Sequence, residues 1–240
     1  VTELTTGTDL VAWQLRVAMG EHLDVAEPST SGHSIEVRLY AENPAAGWQP
    51  QSGTMHRIDV DAATHFGPLE RPGVRVDAGI EPGSQISTFY DPMLAKVISW
   101  APTRERAAAM LARTLADAAL HGPVTNRDML VNTLREQTFR SGHTDTGYLD
   151  QVGLDVLSAP LADDATVTLA AVAATMAEVA VNRDGARVQR TLPAGWRNMA
   201  SQYAQKTFLT DDDTEHVVRY LCGRSGSVEL PDVADTEVIS

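Results

Sequence analysis

The sequence predicts an α+β protein, in which an antiparallel sheet carries flanking helices and a second, β-rich module follows. Three observations lead to this fold class. The segment 34–40 alternates polar and apolar residues with period 2, which is typical of a half-buried strand. The helices of the first half mostly follow the short strands instead of alternating with them, as they would in a doubly wound sheet. From residue 186 onward the pattern is again that of β-strands.

The first half of the chain is predicted to fold as one domain, residues 1–150. It opens with an amphipathic helix over 8–19, which ends at Gly20. In the strand over 34–40, Ile35, Val37 and Leu39 share one face. Further predicted elements are strands over 54–60, 74–77 and 93–100, a helix over 103–120, and a helix that Thr125 and Asn126 cap and that ends near Leu134.

The second half is predicted to begin with a linker over 151–164, which contains Gly153 and Pro160 and ends in two aspartates. These aspartates can cap an Ala-rich helix over 165–182, and residues 165–240 then form the second module. The predicted apolar stripe of this helix is Leu169, Val172, Ala173, Met176, Val179 and Ala180, and the predicted strands after it are 188–192, 202–209, 216–221 and 227–230.

Composition excludes several classes of protein. The chain has 240 residues, 19 Lys and Arg against 32 Asp and Glu, and a net charge of −13, which disfavours binding to phosphate backbones; we therefore expect no nucleic-acid partner. Its most apolar stretch, 165–181, is interrupted by three threonines and Glu178, so we expect no membrane span. The single cysteine, Cys222, is typical of a reducing compartment, and we expect a cytoplasmic location.

Several catalytic motifs are absent from the sequence. It contains no GxxxxGK[ST] or GxGxxG loop, no CxxC, no HExxH and no GxSxG, and its seven histidines lack metal-ligand spacing, so we expect no metal ligands. One strand differs from this background, because Glu36 and Arg38 project from the same sheet face. The pair is either a structural charge pair or part of an oxyanion site, for which arginine offers a fixed fork of donors.

The order of six segments resembles the C-terminal part of biotin carboxylases, which belong to the ATP-grasp enzymes. These segments are Val1–Leu4 with Thr6–Val11, then Gln14-Leu15, Gly32–Pro44, Pro50–Thr54, Gly73–Asp77 and Tyr90–Ile98. The resemblance covers about residues 1–150. The family usually has Gly-Val-Lys-Thr-Asn before its last helix, whereas this chain has Gly-Pro-Val-Thr-Asn over 122–126, so no function is carried over there.

The resemblance implies the carboxylation of biotin with ATP, magnesium and bicarbonate. Arg38 matches the arginine of the family's G-H-x-x-E-x-R strand, which implies that it holds the ureido oxygen of biotin, and Glu36 is interpreted as its support. Arg75 matches a position near the dimer interface of the family, so a homo-oligomer is expected. The family's phosphate loop and metal ligands precede the residue that matches Val1, so the 240 residues alone are expected to be inactive and to bind neither ATP nor magnesium.

The segment 192–198 resembles the start of the region that links biotin carboxylase to the biotin carrier domain in acyl-CoA carboxylase α-subunits. The resemblance implies a helix and an incomplete β-barrel over 165–240, which contact the carboxyltransferase β-subunit. The expected partners are this subunit and a separate biotin carboxyl carrier domain. We therefore interpret the chain as a fragment of an acetyl- or propionyl-CoA type carboxylase. The alternatives are a pyruvate carboxylase or a urea-processing enzyme, and a non-catalytic subunit-interaction module.

Overall fold

The computed structural model describes residues 1–23, 27–188, 202–210, 214–223 and 227–233. The chain divides into two compact units, Val1–Leu161 and Ala162–Ser240. The helices of the first unit are α1 (Thr2–Thr6), α2 (Leu10–Ala18), α3 (Arg104–Asp117), α4 (Arg127–Arg135), α5 (Gln137–Ser141), α6 (Tyr148–Val152) and α7 (Leu154–Leu157), with a 3-10 turn at Pro44–Ala46. Its strands are β1 (His33–Tyr40), β2 (Glu42–Asn43), β3 (Gln49–Pro50), β4 (Gly53–Thr54), β5 (Arg57–Asp59), β6 (Thr64–His65), β7 (Gly73–Ala78), β8 (Gln85–Ile86), β9 (Met93–Ala101) and β10 (Ala119–His121).

A four-stranded sheet forms the centre of the first unit, with the strand order β1-β9-β7-β6. β9 pairs antiparallel with both β1 and β7, while the short strand β6 joins β7 in parallel. β1 is therefore an edge strand of this sheet. The predicted α+β class with a mainly antiparallel sheet and flanking helices is confirmed for this unit.

The hydrophobic core lies between one face of the sheet and the helices that follow β9. Ile35, Val37 and Leu39 are buried, as the period-2 pattern predicts. α3 contributes Leu111 and Leu115, which are fully buried on its inward face. α3 begins where Thr103 accepts a hydrogen bond from the backbone N–H of Arg106, so its start agrees with the prediction.

Two predicted elements of the first unit differ from the structure. The helix expected over 8–19 is α2, and none of its residues is buried. The strand expected over 54–60 is divided into β4 and β5, because the two pieces pair with different partners, β8 and β10. Met55 lies between them and is fully buried, and its backbone N–H donates to the carbonyl of Ser84.

The segment 151–164, which composition predicts as a linker, is largely structured. It contains the end of α6 and all of α7, and Leu157 is buried. The side-chain amide of Asn132 donates to the carbonyls of Leu157 and Ala159, at 2.9 Å each. The first unit therefore continues to Leu161, because this segment supplies both apolar contacts and hydrogen bonds to α4.

The second unit contains α8 (Asp164–Asp184) and the strands β11 (Ala204–Leu209), β12 (Glu215–Cys222) and β13 (Val228–Glu229). The three strands form one antiparallel sheet in the order β11-β12-β13. Asp163 caps α8 by accepting from the N–H of Thr166 at 2.8 Å, as the sequence predicts. The expected strand 188–192 and the segment 192–198 lie almost wholly outside the described residues.

The buried face of α8 differs from the predicted stripe. Ala171, Val172 and Thr175 are buried against the sheet of their own unit, whereas Leu169 is 56% exposed and Ala173 and Ala180 are also exposed. Thr175 occupies a core position because its hydroxyl donates to the carbonyl of Ala171 within the helix. A prediction based on apolar residues misses this position, because Thr175 is polar and its hydroxyl is bonded within the helix.

α8 also meets the length and composition of a membrane span. The helix has 21 residues and a mean hydropathy of 1.4 over its most apolar window, although the three threonines and Glu178 in it led us to expect no membrane span. Within the second unit 17% of this window is buried, and α8 packs against β12 and forms an ion pair between Glu178 and Lys206. Length and composition alone therefore do not identify it as a span.

Candidate active-site face of the sheet

The sheet face opposite the core carries the residues that the sequence singles out. On β1 the side chains of Glu36, Arg38 and Tyr40 alternate with those of the buried residues, so they project from this outer face. The cross-strand register places Arg75 of β7 on the same face, because Glu36 and Arg75 both lie opposite Ile98 of β9. The structure therefore brings all three predicted site residues to one surface.

Arg38 presents an accessible guanidinium. Its side chain is 61% exposed, and its Nε lies 3.8 Å from Oε1 of Glu36, which is too long for a strong hydrogen bond. Hydrogen bonding to the Tyr40 side chain is the largest cause that raises the pKa of Arg38 above its ordinary value, and the carboxylates of Glu36 and Asp91 act in the same direction. The group is thus charged at any working pH and has donors left for an incoming anion.

Arg75 is held by two carboxylates of its own chain. Its Nε and Nη2 donate to the two carboxylate oxygens of Asp77 at 2.8 Å, and its Nη1 donates to Glu3 of α1 at 2.9 Å. Hydrogen bonding to Asp77, followed by that to Glu3, raises the pKa of Arg75. Only 13% of its side chain is exposed, so this arginine ties α1 to the sheet.

Lys96 of β9 lies between the two arginine-bearing strands. It is directly opposite Arg38 on one side and Asp77 on the other, so the three residues form one row across the outer face. Among the described residues no carboxylate forms an ion pair with Lys96. Our sequence reasoning did not include Lys96 in the site, although a single charged residue within an apolar strand was the available signal.

Asn126 is a second residue that the sequence reasoning placed differently. It stands at the start of α4 but forms no side-chain cap hydrogen bond, so the predicted capping role of Asn126 is wrong. Its amide instead reaches the backbone of β1, where Oδ1 accepts from the N–H of Tyr40 and Nδ2 donates to the carbonyl of Arg38. A single sequence shows no signal for a contact between positions 86 and 88 residues apart.

The described residues offer few other groups for catalysis or metal binding. Within those residues no group of three His, Cys, Asp or Glu could hold a metal ion. Cys222 is half-buried, and burial raises the pKa of its thiol, which disfavours a nucleophilic thiolate there.

Comparison with known proteins identifies the sheet and its helices. The family described as Biotin carboxylase C-terminal domain matches residues 36–151, which include the greater part of β1 and all of β7, β9, α3 and α4. Residues 36–151 form a biotin carboxylase C-terminal domain. This confirms the resemblance that the sequence shows over its first half.

Relatives that match about two thirds to three quarters of the chain are biotin-dependent carboxylases. The mitochondrial methylcrotonoyl-CoA carboxylase subunit alpha of Oryza sativa is 36% identical over 161 residues, which cover 66% of this chain and 21% of that protein. The propionyl-CoA carboxylase alpha chain of Ruegeria pomeroyi is 36% identical over 190 residues, covering 72% of this chain and 28% of that protein. The covered 72% of 240 residues is about 173 residues, which is more than the 161 residues of the first unit. This match therefore extends into the second unit.

A solved structure shows the same domain in a larger protein. The biotin carboxylase domain dimer of the Hydrogenobacter thermophilus 2-oxoglutarate carboxylase, in complex with MgADP, ADP and bicarbonate, matches with a TM-score of 0.60 and 34% identity. The match covers 68% of this chain and 34% of that one. The chain therefore spans about a fifth to a third of the length of the relatives that it matches.

Proposed function

We propose that this chain is the C-terminal part of the biotin carboxylase of a biotin-dependent acyl-CoA carboxylase. The reaction would be the ATP- and bicarbonate-dependent carboxylation of biotin, with magnesium as the metal. The observation that carries the proposal is the accessible guanidinium of Arg38 on the outer face of a biotin carboxylase C-terminal domain. An accessible arginine whose ion-pair partner is 3.8 Å away is the kind of group that recognises a planar oxyanion.

Arg38 would act on the ureido ring of biotin. Its planar donors fit the ureido oxygen, where negative charge develops when a base of the complete enzyme takes the proton of ring N1. A donor already in place at that oxygen stabilises the transition state more than the ground state. Glu36, at 3.8 Å, restricts the orientation of the guanidinium without occupying its donors, so we infer that it supports Arg38.

The surroundings of Arg38 are those of a surface that other protein covers. Phe89 and Tyr90, in the loop that precedes β9, are 90% and 84% exposed, and Asp91 of the same loop is close enough to influence the Arg38 pKa. Two adjacent aromatic side chains that are mostly exposed form an apolar patch of the kind that partner surfaces cover. This supports a position within a larger carboxylase, with the ATP-binding residues contributed by another part of it.

The test of the proposed function is ADP release by the polypeptide translated from the complete reading frame that contains these residues. We expect release that requires both bicarbonate and biotin. The 240-residue chain alone is the matched control, and we expect it to release no ADP. Bicarbonate-dependent release by the chain alone, or no biotin dependence in the complete polypeptide, would contradict the proposal. A reading frame that starts at Val1 would favour an interaction module instead.

The second unit is proposed to contact the carboxyltransferase β-subunit, and a separate biotin carrier domain is proposed to deliver biotin to Arg38. Matches to a propionyl-CoA carboxylase alpha chain and to a methylcrotonoyl-CoA carboxylase subunit alpha both extend into the second unit, which supports an acyl-CoA carboxylase α-subunit. The choice between acetyl- and propionyl-CoA, the linking-region identity of residues 165–240 and the cytoplasmic location stay predictions.

The position of Arg75 at a dimer interface is tested by its removal. Three of its N–H groups bond within the chain, which leaves two of five for a second copy. If it contacts that copy, Arg75→Ala is expected to raise the dimer dissociation constant about tenfold in analytical ultracentrifugation. The matched control is Arg57→Ala, which removes an exposed strand arginine from its pair with Asp59. Equal dissociation constants for the two variants would assign Arg75 to intrachain structure only.

A further inference from the structure

We propose that Asn126 is a positioning residue for Arg38, an inference that rests on the proposed function of Arg38. The side chain of Asn126 bonds to the backbone of β1 and not to the Arg38 guanidinium. It holds the backbone of β1 on both sides of Leu39, and the peptide carbonyl of Arg38 itself is one of the groups it binds.

The contact consists of three hydrogen bonds to one stretch of strand. Oδ1 of Asn126 accepts from the N–H of Tyr40 at 2.9 Å, and Nδ2 donates to the carbonyl of Arg38 at 3.1 Å. The backbone N–H of Asn126 donates to the carbonyl of Tyr40, also at 3.1 Å. With 4% of its surface exposed, Asn126 makes these bonds away from water, where they are stronger and where an unpaired amide is costly.

The strand needs this support at that point. β1 is an edge strand, so the outward backbone groups of Arg38 and Tyr40 have no neighbouring strand to bond. On the inner side the register with β9 shifts between Leu39 and Tyr40, which interrupts the regular ladder next to Arg38. Beside this irregularity, Asn126 makes the hydrogen bonds that a neighbouring strand would otherwise make. These bonds hold the backbone of Arg38 and so fix the direction in which its side chain projects from the sheet.

The first experiment measures the contact between Asn126 and β1 and requires no catalysis. In the 240-residue chain, Asn126→Ala removes the acceptor of the Tyr40 N–H, so hydrogen exchange of the Tyr40 amide, measured by NMR, is expected to accelerate at least about tenfold. Asn132→Ala is the matched control, because Asn132 also donates its amide to backbone carbonyls, but to those of Leu157 and Ala159. Unchanged exchange of the Tyr40 amide in Asn126→Ala overturns the inference.

The second experiment tests the consequence in the complete polypeptide. Asn126→Ala is expected to lower turnover in biotin carboxylation by about 10- to 100-fold, since a small misplacement of a catalytic group has effects of this size. The KM of Asn126→Ala for ATP is expected to stay within about twofold of the unmodified value. The turnover of the control Asn132→Ala is expected to stay within the same range. Asn126→Asp keeps the size and the acceptor for Tyr40 but repels the Arg38 carbonyl, so it serves as the second variant if Asn126→Ala does not fold.

The double variant separates positioning from general stability. If Asn126 acts through Arg38, adding Asn126→Ala to Arg38→Ala is expected to change turnover by no more than about twofold. A further tenfold loss in the double variant overturns the inference while the proposed function stands. No biotin-dependent activity in the unmodified polypeptide overturns the proposed function, and the positioning role with it.

Discussion

Replacing Arg38 by alanine is expected to lower the rate of biotin carboxylation by about 10²–10³-fold, the usual effect of removing one oxyanion donor. KM for ATP is expected to change by no more than about twofold, because the side chain acts on biotin. The expectation follows from the position of Arg38, whose side chain is 61% exposed and 3.8 Å from its nearest ion-pair partner. The measurement is steady-state turnover of the complete polypeptide with biotin and with ATP varied separately.

Arg57→Ala is the matched control for this variant. Arg57 is also a strand arginine paired with a carboxylate two residues away, and its side chain is 54% exposed, but it lies on β5, outside the four-stranded sheet. Its removal is expected to leave turnover within about twofold. Arg38→Lys keeps the charge and loses the planar fork, so an intermediate rate is expected. Turnover of Arg38→Ala close to that of Arg57→Ala would make Arg38 a structural charge only.

The parts of the fold that depend on local pattern were predictable from the sequence. The alternation along β1 places Ile35, Val37 and Leu39 in the core and Arg38 outside it, and the structure agrees. The start of α8 was also predictable, because Asp163 caps it with a contact only three residues away. Both features depend only on residues that are close together in the sequence.

The parts that depend on tertiary contacts were not predictable in this way. Asn126 has the residue type and the place of a helix cap, and only the approach of β1 shows that its amide is used elsewhere. The segment 151–164 has the composition of a linker, yet Leu157 is buried and Asn132 binds its backbone. For Arg38 the residues alone are consistent with a structural charge pair and with an oxyanion site, and only the family resemblance implies a role in binding biotin.

The second large effect is expected in the core that supports this face. Leu111 lies on the inward side of α3 and is fully buried in the cluster that α3 forms with the sheet and α4. Leu111→Ala removes buried methyl groups and leaves a cavity, so it is expected to lower the free energy of unfolding of the first unit by about 2–5 kcal/mol. Because β1 and β9 lie under α3, the outer face with Arg38 would be lost in the same transition.

Hydrogen exchange in β9 measures this loss without interference from the second unit. β9 is paired on both sides, so its slowest amides report the opening of the whole sheet. Leu15→Ala is the matched control, because Leu15 is also a helical leucine but is 61% exposed on α2; its effect is expected to stay within about 0.5 kcal/mol. If β9 exchanges equally fast in the two variants, α3 does not stabilise the sheet, and the core as described is wrong.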